Sequence, residues 1–417
     1  MSIKNIESQN IVIIGAGSAG LSTSFFLTKQ GIEHVVLERG NIANTWKKER
    51  WDGFYLVNPN WAIRLPGFHY VGTDPDGYLS KNETIHYLQD YAAHFGAPVR
   101  TNTNVNSLEK TDNGYQLLLD DGNAINANGV IVATGAFGIP RIPSFSTNIS
   151  KKIHQIHSAT YVNPQSLPDG AVLVVGSGQS GAQIAEELHQ AERRVFLAVS
   201  SAGRRPRRYR GRDSSWWNYA MGSFDKTVDD VESIVKFRFG PSAHTSGTQG
   251  GHDIYLRQLA NEGVVLLGPV TGAHHNVITP ATNLEEILKE VEAHTKRWKA
   301  NVDQYIEKNG IQSPLDTGEV DDETTNWPEY DPPNEIDLSD AGIRTIIWAT
   351  GFEYNYEWIK LPVTDDRNYP IQRRGVTKYM GLYFMGLQWM HGSKSAQFIG
   401  VGEDAEYVAN HVASNFG

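Results

Sequence analysis

Two glycine-rich hexapeptides, residues 15–20 and 176–181, carry the clearest chemical pattern in the sequence. Their key positions are Gly15, Gly17, Ser18 and Gly20 in the first, and Gly176, Gly178, Ser180 and Gly181 in the second. In a G-x-G-x-x-G turn, the first glycine permits the turn, the second lets the backbone approach a pyrophosphate, and the third allows close helix–strand packing. The helix N-terminus then offers free N–H groups to the phosphates. The spacing therefore predicts two dinucleotide sites and electron transfer between two bound cofactors.

The residues that follow each site differ in charge. Glu38 stands where a carboxylate accepts hydrogen bonds from ribose hydroxyls and would repel a 2′-phosphate. The second site has no acid at that place and is followed by six arginines: Arg204, Arg205, Arg207, Arg208, Arg210 and Arg212. Guanidinium groups suit a phosphate dianion, so NADPH is predicted there, with Arg204 and Arg205 as its ligands. A solvated basic loop and a nucleic-acid patch are the alternative interpretations.

Strands and helices are predicted on both sides of each loop. The patterns predict strands at 11–14, 34–37, 171–175 and 195–198, and helices from each loop to about Gln30 and to Gln190. Further strands are predicted at 130–133 and 345–348, and a hairpin with strands 115–119 and 124–127 around Asp121-Gly122. The alternation predicts an α/β fold with two Rossmann-type dinucleotide-binding domains, the two-dinucleotide-binding flavoprotein architecture.

The domain organisation is predicted to be discontinuous. An FAD-binding domain takes residues 1–165 and 336–417, and an NADP-binding domain with a helical insertion takes residues 166–335. The insertion includes an amphipathic helix over residues 284–309, which Gly310 would end. Residues 204–251 are expected to loop over a site, and the acidic residues 316–335 to form a surface connection.

Composition excludes several classes of protein. The 417 residues include 37 Lys and Arg and 47 Asp and Glu, a net charge of −10 that argues against a nucleic-acid partner. There is no cysteine, which excludes a disulfide, a thiolate metal site and a redox-active dithiol in this chain. No apolar run suits a membrane span and the first ten residues are polar, so a cytoplasmic protein without a membrane partner is predicted. The 14 histidines show no metal-ligand spacing, and no metal is predicted.

Several further motifs, in order, resemble those of one enzyme family. They are Trp46 with Arg50-Trp51-Asp52, the stretch 56–59, His157-Ser158-x-x-Tyr161, Ala349-Thr350-Gly351-Phe352 and the stretch 381–387. Together with the two loops they resemble the class B flavin-dependent monooxygenases, which include the flavin-containing and YUCCA-like enzymes. One departure is that Lys151 and Ile153 stand where the family fingerprint begins with Phe-x-Gly. Tyr161, where Baeyer–Villiger members tend to have Trp, favours the heteroatom-oxidising or YUCCA-like branch.

The resemblance implies an NADPH-dependent monooxygenase that holds FAD, uses O₂ and oxygenates a small N- or S-containing substrate through a C4a-(hydro)peroxyflavin. The catalytic residues it implies are His157 and Tyr161 with a flavin-proximal asparagine, for which Asn58 and Asn60 are both candidates. Further cofactor-binding residues are expected at Arg39, Trp46, Thr134, Gly135 and Gln397.

Three alternatives stay open at this level. One is an NAD(P)H-dependent flavin oxidoreductase or oxidase that inserts no oxygen. The others are a Baeyer–Villiger-type monooxygenase and a non-enzymatic redox-sensing module. The sequence also leaves the oligomeric state open, with a homodimer as one alternative to a monomer.

Overall fold

The computed structural model describes residues 3–200, 203–240, 243–316 and 332–417. In chain order, the strands of this part are β1 (Ile6–Ile14), β2 (His34–Leu37), β3 (Arg64–Leu65), β4 (Phe68–His69), β5 (Val99–Arg100), β6 (Val105–Thr111), β7 (Gly114–Leu119), β8 (Ala124–Val132), β9 (Ile139–Pro140), β10 (His154–His157), β11 (Ala171–Val175), β12 (Val195–Ala198), β13 (Gly203–Arg204), β14 (Arg208–Tyr209), β15 (Arg212–Asp213), β16 (Ala243–Ser246), β17 (His252–Asp253), β18 (Val265–Leu267), β19 (Val270–His274), β20 (Val277–Pro280), β21 (Ile336–Asp337), β22 (Ile343–Trp348), β23 (Phe352–Glu353) and β24 (Leu382–Phe384). The helices are α1 (Ser18–Lys29), α2 (Asn44–Lys48), α3 (Lys81–His94), α4 (Gln179–Gln190), α5 (Ser214–Ala220), α6 (Ile234–Phe239), α7 (Leu256–Asn261), α8 (Leu284–Asn309) and α9 (Val401–Phe416).

The first large sheet has the strand order β5-β2-β1-β8-β7-β6, and β24 also pairs with β8. Strand β8 changes partner along its length, because residues 124–127 pair with β7 and residues 130–132 pair with β24. The sequence predicted two separate strands at 124–127 and 130–133, which is wrong. Asn128 and Gly129 continue the strand, so the hairpin and the central strand form one rigid element.

The second large sheet is entirely parallel, with the order β10-β22-β11-β12-β18. All five residues of β11 are buried, as expected for a strand covered on both faces. The domain boundaries at residues 165 and 335 stay predictions. The strands of the second sheet favour a second domain that begins before residue 165 and ends after residue 335. Strand β10 precedes residue 165 and β22 follows residue 335, yet both belong to this second sheet. The fold is the predicted α/β fold of two-dinucleotide-binding flavoproteins.

The longest helix, α8, has the bounds predicted from its amphipathic pattern, and Gly310 ends it with a φ of +59°. Its buried face packs Trp298, Val302 and Ile306 against Tyr209 and Trp217 of the arginine-rich segment. Helix α8 therefore forms a hydrophobic cluster with the part of that segment from Tyr209 to Trp217. Within the described part of the chain, no helix is long and apolar enough to cross a membrane.

The segment predicted to loop over a site, residues 204–251, contains regular elements in its described parts, 204–240 and 243–251. Its strands β13 and β16 form a small sheet with β17, and it also contains α5 and α6. The short elements arise because the segment packs on α8 and on the second glycine loop. Most of the predicted acidic connection at 316–335 lies outside the described residues, so that prediction is untested.

Candidate functional site

A cavity of about 1000 Å³ lies at the carboxyl ends of the central strands of the first sheet. Its wall includes Gly15 after β1, Glu38 after β2, Thr134 after β8 and Gly386 after β24. Open α/β sheets bind ligands at this edge, where loops from several strands converge. Residues of the second half of the chain, including Gln179 of α4, line the same cavity. One cavity therefore contacts elements of both sheets.

The first glycine loop has the geometry that a pyrophosphate requires. Gly15 has a φ of +107°, and a Cβ there would lie 2.6 Å from the Ala133 carbonyl oxygen. A Cβ on Gly20 would overlap the Gly15 carbonyl oxygen, so this glycine permits the close packing of α1 on β1. Gly17 has no atom within 4 Å of its Cβ position and lines the cavity. The open side of the turn therefore faces the space in which a ligand would lie.

The second glycine loop repeats this geometry. Gly176 has a φ of +102°, a Cβ there would lie 2.6 Å from the Ala349 carbonyl oxygen, and Gly178 again has open space. A Cβ on Gly181 would overlap the Gly176 carbonyl oxygen, and Ser180 lies half-buried in the first turn of α4. The loops are thus equivalent in backbone, and the second also fits a dinucleotide.

Both helices that follow the loops begin without a side-chain cap. Neither Gly17 before α1 nor Gly178 before α4 provides one, and neither helix has an acid in its first turn. Helix α3, by contrast, begins with a full capping box formed by Ser80 and Glu83. Uncapped N–H groups at a helix N-terminus favour an anionic ligand, so α1 and α4 are both suited to phosphates.

The cavity wall beyond the first loop contains further predicted residues. Glu38 is 7% exposed, and its carboxylate accepts hydrogen bonds from the Ala16 and Gly40 backbone N–H groups at 2.9 Å each. Arg39 lies beside it and forms an ion pair with Glu49 at 2.9 Å. Thr134, Gly135 and Trp46 also line the cavity. The structure therefore brings these residues together with the first loop.

The two asparagine candidates lie in different environments. Asn58 lines the cavity, and its Nδ2 donates to Gln397 Oε1 at 3.1 Å. Gln397 also lines the cavity and in turn donates to the Ser393 carbonyl oxygen at 2.8 Å, just before α9. Asn60 is buried away from the cavity, with its Nδ2 bound to the Asp74 carbonyl oxygen at 2.9 Å. The structure therefore favours Asn58 over Asn60 as the asparagine at the site.

His157 and Tyr161 do not line the cavity. His157 donates from Nε2 to the Gly351 carbonyl oxygen at 3.0 Å and accepts the Ala159 N–H at Nδ1, and burial lowers its pKa. Tyr161 donates to Glu187 Oε2 at 2.8 Å, and burial raises the pKa of this phenol. Protein partners therefore satisfy both side chains outside the cavity, and their catalytic role stays a prediction.

Arg204 and Arg205 point in different directions. Arg204 is 3% exposed, donates to Asp253 Oδ2 at 2.7 Å and lies 4.1 Å from the ring centre of Tyr255. It does not line the cavity, and Asp253 holds this guanidinium, so its role as a phosphate ligand stays a prediction. Arg205 does line the cavity, and its Nε has no partner. Burial lowers the pKa of Arg205 to about 10, which leaves the group charged at neutral pH.

The cavity residues that were not predicted as binding residues include two arginines, Arg50 and Arg207. Arg50 lies 5.0 Å from the ring centre of Phe137, and burial lowers its pKa. Arg207 donates from Nη1 to the Val57 carbonyl oxygen at 2.8 Å. The sequence contained both, Arg50 in a family motif and Arg207 in the arginine run, but spacing alone did not show which arginines face inward. No group of three or more His, Asp or Glu in the described ranges is arranged to hold a metal ion.

Comparisons with known proteins agree with this geometry. The pyridine nucleotide-disulphide oxidoreductase family matches residues 12–217. An uncharacterized oxidoreductase of Geobacillus kaustophilus, described as CzcO-like, is 34% identical over 409 residues, covering 97% of this chain and 99% of that protein. Probable indole-3-pyruvate monooxygenase YUCCA1 of Arabidopsis thaliana is 36% identical over 183 residues, covering 42% of this chain and 44% of that protein.

A solved structure extends the likeness in fold to the whole chain. The flavin-containing monooxygenase from Stenotrophomonas maltophilia superposes with a TM-score of 0.64 at 19% identity, covering 98% of this chain and 99% of that one.

Proposed function

The chain belongs to the CzcO-like oxidoreductases and to the class B flavin-dependent monooxygenase family, and we propose on this basis that it is an NADPH-dependent, FAD-containing monooxygenase. Its flavin-dependent oxidoreductase character follows from the family. The proposal adds the identity of both cofactors and the substrate class, a small molecule with an oxidisable nitrogen or sulfur atom. The balanced reaction consumes substrate, O₂, NADPH and a proton, and it yields the oxygenated substrate, NADP⁺ and water.

One observation carries the proposal: residues of both equivalent glycine loops line one cavity. Gly17 and Ser18 line it from the first loop, and Gln179, the first residue of α4, lines it from the second. Two dinucleotides bound at these helix N-termini would extend into the same space. A nicotinamide and a flavin need such a shared space for hydride transfer.

The residues of the first site fit FAD. The N–H groups at the start of α1 would hold the pyrophosphate, and Glu38 lies where ribose hydroxyls can donate to its carboxylate. Trp46, Asn58 and Gln397 also line the cavity and would orient the ring system. Bound flavin supplies the redox chemistry, which takes hydride from NADPH, activates O₂ and delivers one oxygen atom to the substrate.

The residues of the second site fit NADPH. The start of α4, with Gly178 and Ser180, would hold its pyrophosphate. Arg205, which lines the cavity and has an unpartnered Nε, would bind the 2′-phosphate. His157 and Tyr161 act as positioning residues, because His157 holds the linker at Gly351 that leaves β22 beside the second loop.

The segment from Gly222 to Gly240 would limit access of water to the cavity. Phe224, Phe237 and Arg238 of this segment line the wall, and the Phe237 ring lies 5.0 Å from that of Trp389. Excluding water protects an oxygenating site from unproductive release of hydrogen peroxide. The segment therefore favours oxygen transfer over oxidase activity.

The test is the fate of O₂ during NADPH oxidation. Purified protein with FAD is supplied with NADPH and a panel of amines and sulfides, and O₂ uptake, hydrogen peroxide and oxygenated product are measured together. We expect one oxygenated product per NADPH for at least one substrate class. If every NADPH yields one hydrogen peroxide whatever the substrate, the protein is an oxidase. If artificial acceptors alone sustain turnover, it is a reductase.

A further inference from the structure

The cavity wall is strongly cationic in a protein of net charge −10. Among the lining residues, one carries a carboxylate, Glu38, and six carry positive charges: Arg39, Arg50, Arg205, Arg207, Lys226 and Arg238. A cleft lined by charges of one sign concentrates ligands of the opposite sign. Glycine loops already provide for two pyrophosphates, so the additional cations indicate further anionic groups.

Arg207 is the most firmly held of these cations. It is 3% exposed, and its ring-stacked guanidinium lies 4.1 Å from the ring centre of Tyr78. Its Nε lies 2.7 Å from the Tyr78 hydroxyl and 2.9 Å from Asp213 Oδ2, and its Nη1 donates to the Val57 carbonyl oxygen. These contacts fix the direction of the guanidinium plane.

The remaining nitrogen of Arg207 has no partner. Nη2 is buried and makes no hydrogen bond, although the residue lines the cavity. Arg205 beside it also has an unpartnered nitrogen, and burial, followed by the positive charge of Arg207, lowers the pKa of Arg205. A buried, unsatisfied charged donor is unfavourable, so two adjacent ones indicate a site built for an anion.

The two arginines have different neighbours. Arg207 is bonded to Val57, the residue before Asn58, and the Asn58 side chain accepts from the Ser215 hydroxyl at 3.5 Å. Arg205 instead acts electrostatically on His294 of α8, which lines the cavity together with Ala243. The contacts of Arg207 therefore place it near Asn58, the asparagine that we assign to the flavin, and those of Arg205 place it near His294.

We propose that the substrate is a small organic anion, and that Arg207 binds its carboxylate. The inference rests on the proposed function for the identity of the reaction but on the geometry of Arg207 for the anion. A phosphate group of NADPH could present similar anionic oxygens to Arg207. The experiment distinguishes the two.

The test compares an acid with its neutral ester. The probes are 4-(methylthio)benzoate and its methyl ester, which have the same sulfide, and titration calorimetry measures their binding to FAD-loaded protein without NADPH. We expect the acid to bind about ten- to hundredfold more tightly than the ester, because one charge-assisted hydrogen bond is gained. Arg207→Gln should remove that difference. Equal binding of acid and ester by the unchanged protein overturns the proposal.

Two further variants control for a general loss of positive charge and for the loss of the guanidinium group itself. Arg212→Gln removes one charge from the same segment at an exposed residue that stacks on Trp216 outside the cavity, and it should leave the preference for the acid intact. Arg207→Lys keeps a positive charge near Asp213, but its single amine cannot contact both Asp213 and the substrate carboxylate. The preference of this variant for the acid over the ester should therefore fall between those of the unchanged protein and Arg207→Gln. Flavin content and circular dichroism report whether each variant folds.

The outcomes separate this proposal from the proposed function. If Arg207→Gln leaves acid binding unchanged and raises the KM for NADPH, the phosphate occupies the site and the substrate proposal is wrong. If acid binding depends on Arg207 but neither sulfide is oxygenated, the anion site stands and the monooxygenase proposal fails. If the KM for the acid rises in Arg207→Gln with that for NADPH unchanged, both stand.

Discussion

The two glycine loops have almost the same backbone but different surroundings. Gly15, Gly17, Ser18 and Ala19 of the first loop line the cavity directly, whereas the second contributes only Gln179. The second loop is covered by β16: His244 hydrogen-bonds to the Ser177 carbonyl oxygen, and the Gln183 side chain donates to the Thr245 carbonyl oxygen at 2.9 Å. The first glycine loop is therefore open to the cavity, whereas β16 covers the second.

The loops also differ in how each is tied to its second strand. In the first, the Glu38 side chain after β2 accepts from the backbone of loop residue Ala16. In the second, the side chain of loop residue Ser177 accepts from the Ser200 backbone after β12, at 3.0 Å. The comparison teaches that the turn provides for a pyrophosphate, while the residues after the second strand determine which nucleotide fits.

The largest expected effect comes from closing the open side of the first loop. Gly17 has a φ of −90°, so valine fits the backbone there, but its side chain would fill the space for the pyrophosphate. Gly17→Val should abolish FAD binding without unfolding the chain. Flavin absorbance per protein after desalting measures this, with circular dichroism as the check on folding. Full FAD occupancy would show that the first loop is not the flavin site.

The matched substitution in the second loop should affect only the other cofactor. Gly178 has a φ of −63° and equally open space. Gly178→Val should keep its flavin, while NADPH-driven flavin reduction falls by about a hundredfold or more, since several charge-assisted contacts to a pyrophosphate are lost. Anaerobic stopped-flow reduction measures the rate. Loss of flavin from this variant would break the assignment of one loop to each cofactor.

The next effect concerns the choice between NADPH and NADH. Arg205→Gln should raise the KM for NADPH about ten- to hundredfold while that for NADH stays nearly constant, because a contact to the 2′-phosphate is lost. Steady-state kinetics with both nucleotides measures the ratio. Arg204→Gln is the contrasting neighbour: it leaves Asp253 without its buried partner and should destabilise the fold by about 3–5 kcal/mol without changing the ratio. If Arg204→Gln changes the ratio instead, the roles assigned to the two arginines are reversed.

The smallest effect concerns the cover over the second loop. His252 of β17 forms an ion pair at 2.9 Å with Glu186 of α4, and the hydrogen bond that its ring donates to this carboxylate raises the pKa of His252. A raised pKa in the folded state stabilises below the unfolded value of about 6.5, and that stability is lost as the pH rises through the folded pKa. The free energy of unfolding should fall by at most about 1 kcal/mol across this range.

Denaturant unfolding at several pH values measures this dependence. His252→Gln should remove it, whereas His86→Gln, at an exposed position on α3, should retain it. An unchanged pH dependence in His252→Gln would mean that other groups cause it and that the pair contributes nothing to the cover.

The sequence predicted the parts of the fold that depend on local pattern. Both glycine turns and the bounds of α4 and α8 follow from glycine spacing and apolar periodicity. The continuity of β8 was not predictable in this way, because Gly129 normally weakens a strand and only its partners, β1 and β24, keep it extended here.

The site was less predictable, because side-chain direction depends on tertiary contacts. Arg204 and Arg205 are identical as residue types, yet adjacent residues of an extended chain point to opposite sides, and only the position of Asp253 shows which one is paired. Asn58 and Asn60 differ in the same way, since a 3₁₀ turn from Asn60 to Ala62 directs Asn60 inward. The partners come from distant segments, which a single sequence does not bring together.

The long-range pairing of both sheets has a consequence for synthesis on the ribosome. Strand β22 lies between β10 and β11, and β24 pairs with β8 in the first sheet. Neither sheet can therefore be completed before residues near the C-terminus are available. A nascent chain that ends before β22 exposes unpaired strand edges in both halves, and such edges are prone to aggregation. We expect neither half to become protease-resistant on stalled ribosomes until residue 384 has emerged, so the two glycine loops would reach their folded surroundings at the same stage of synthesis.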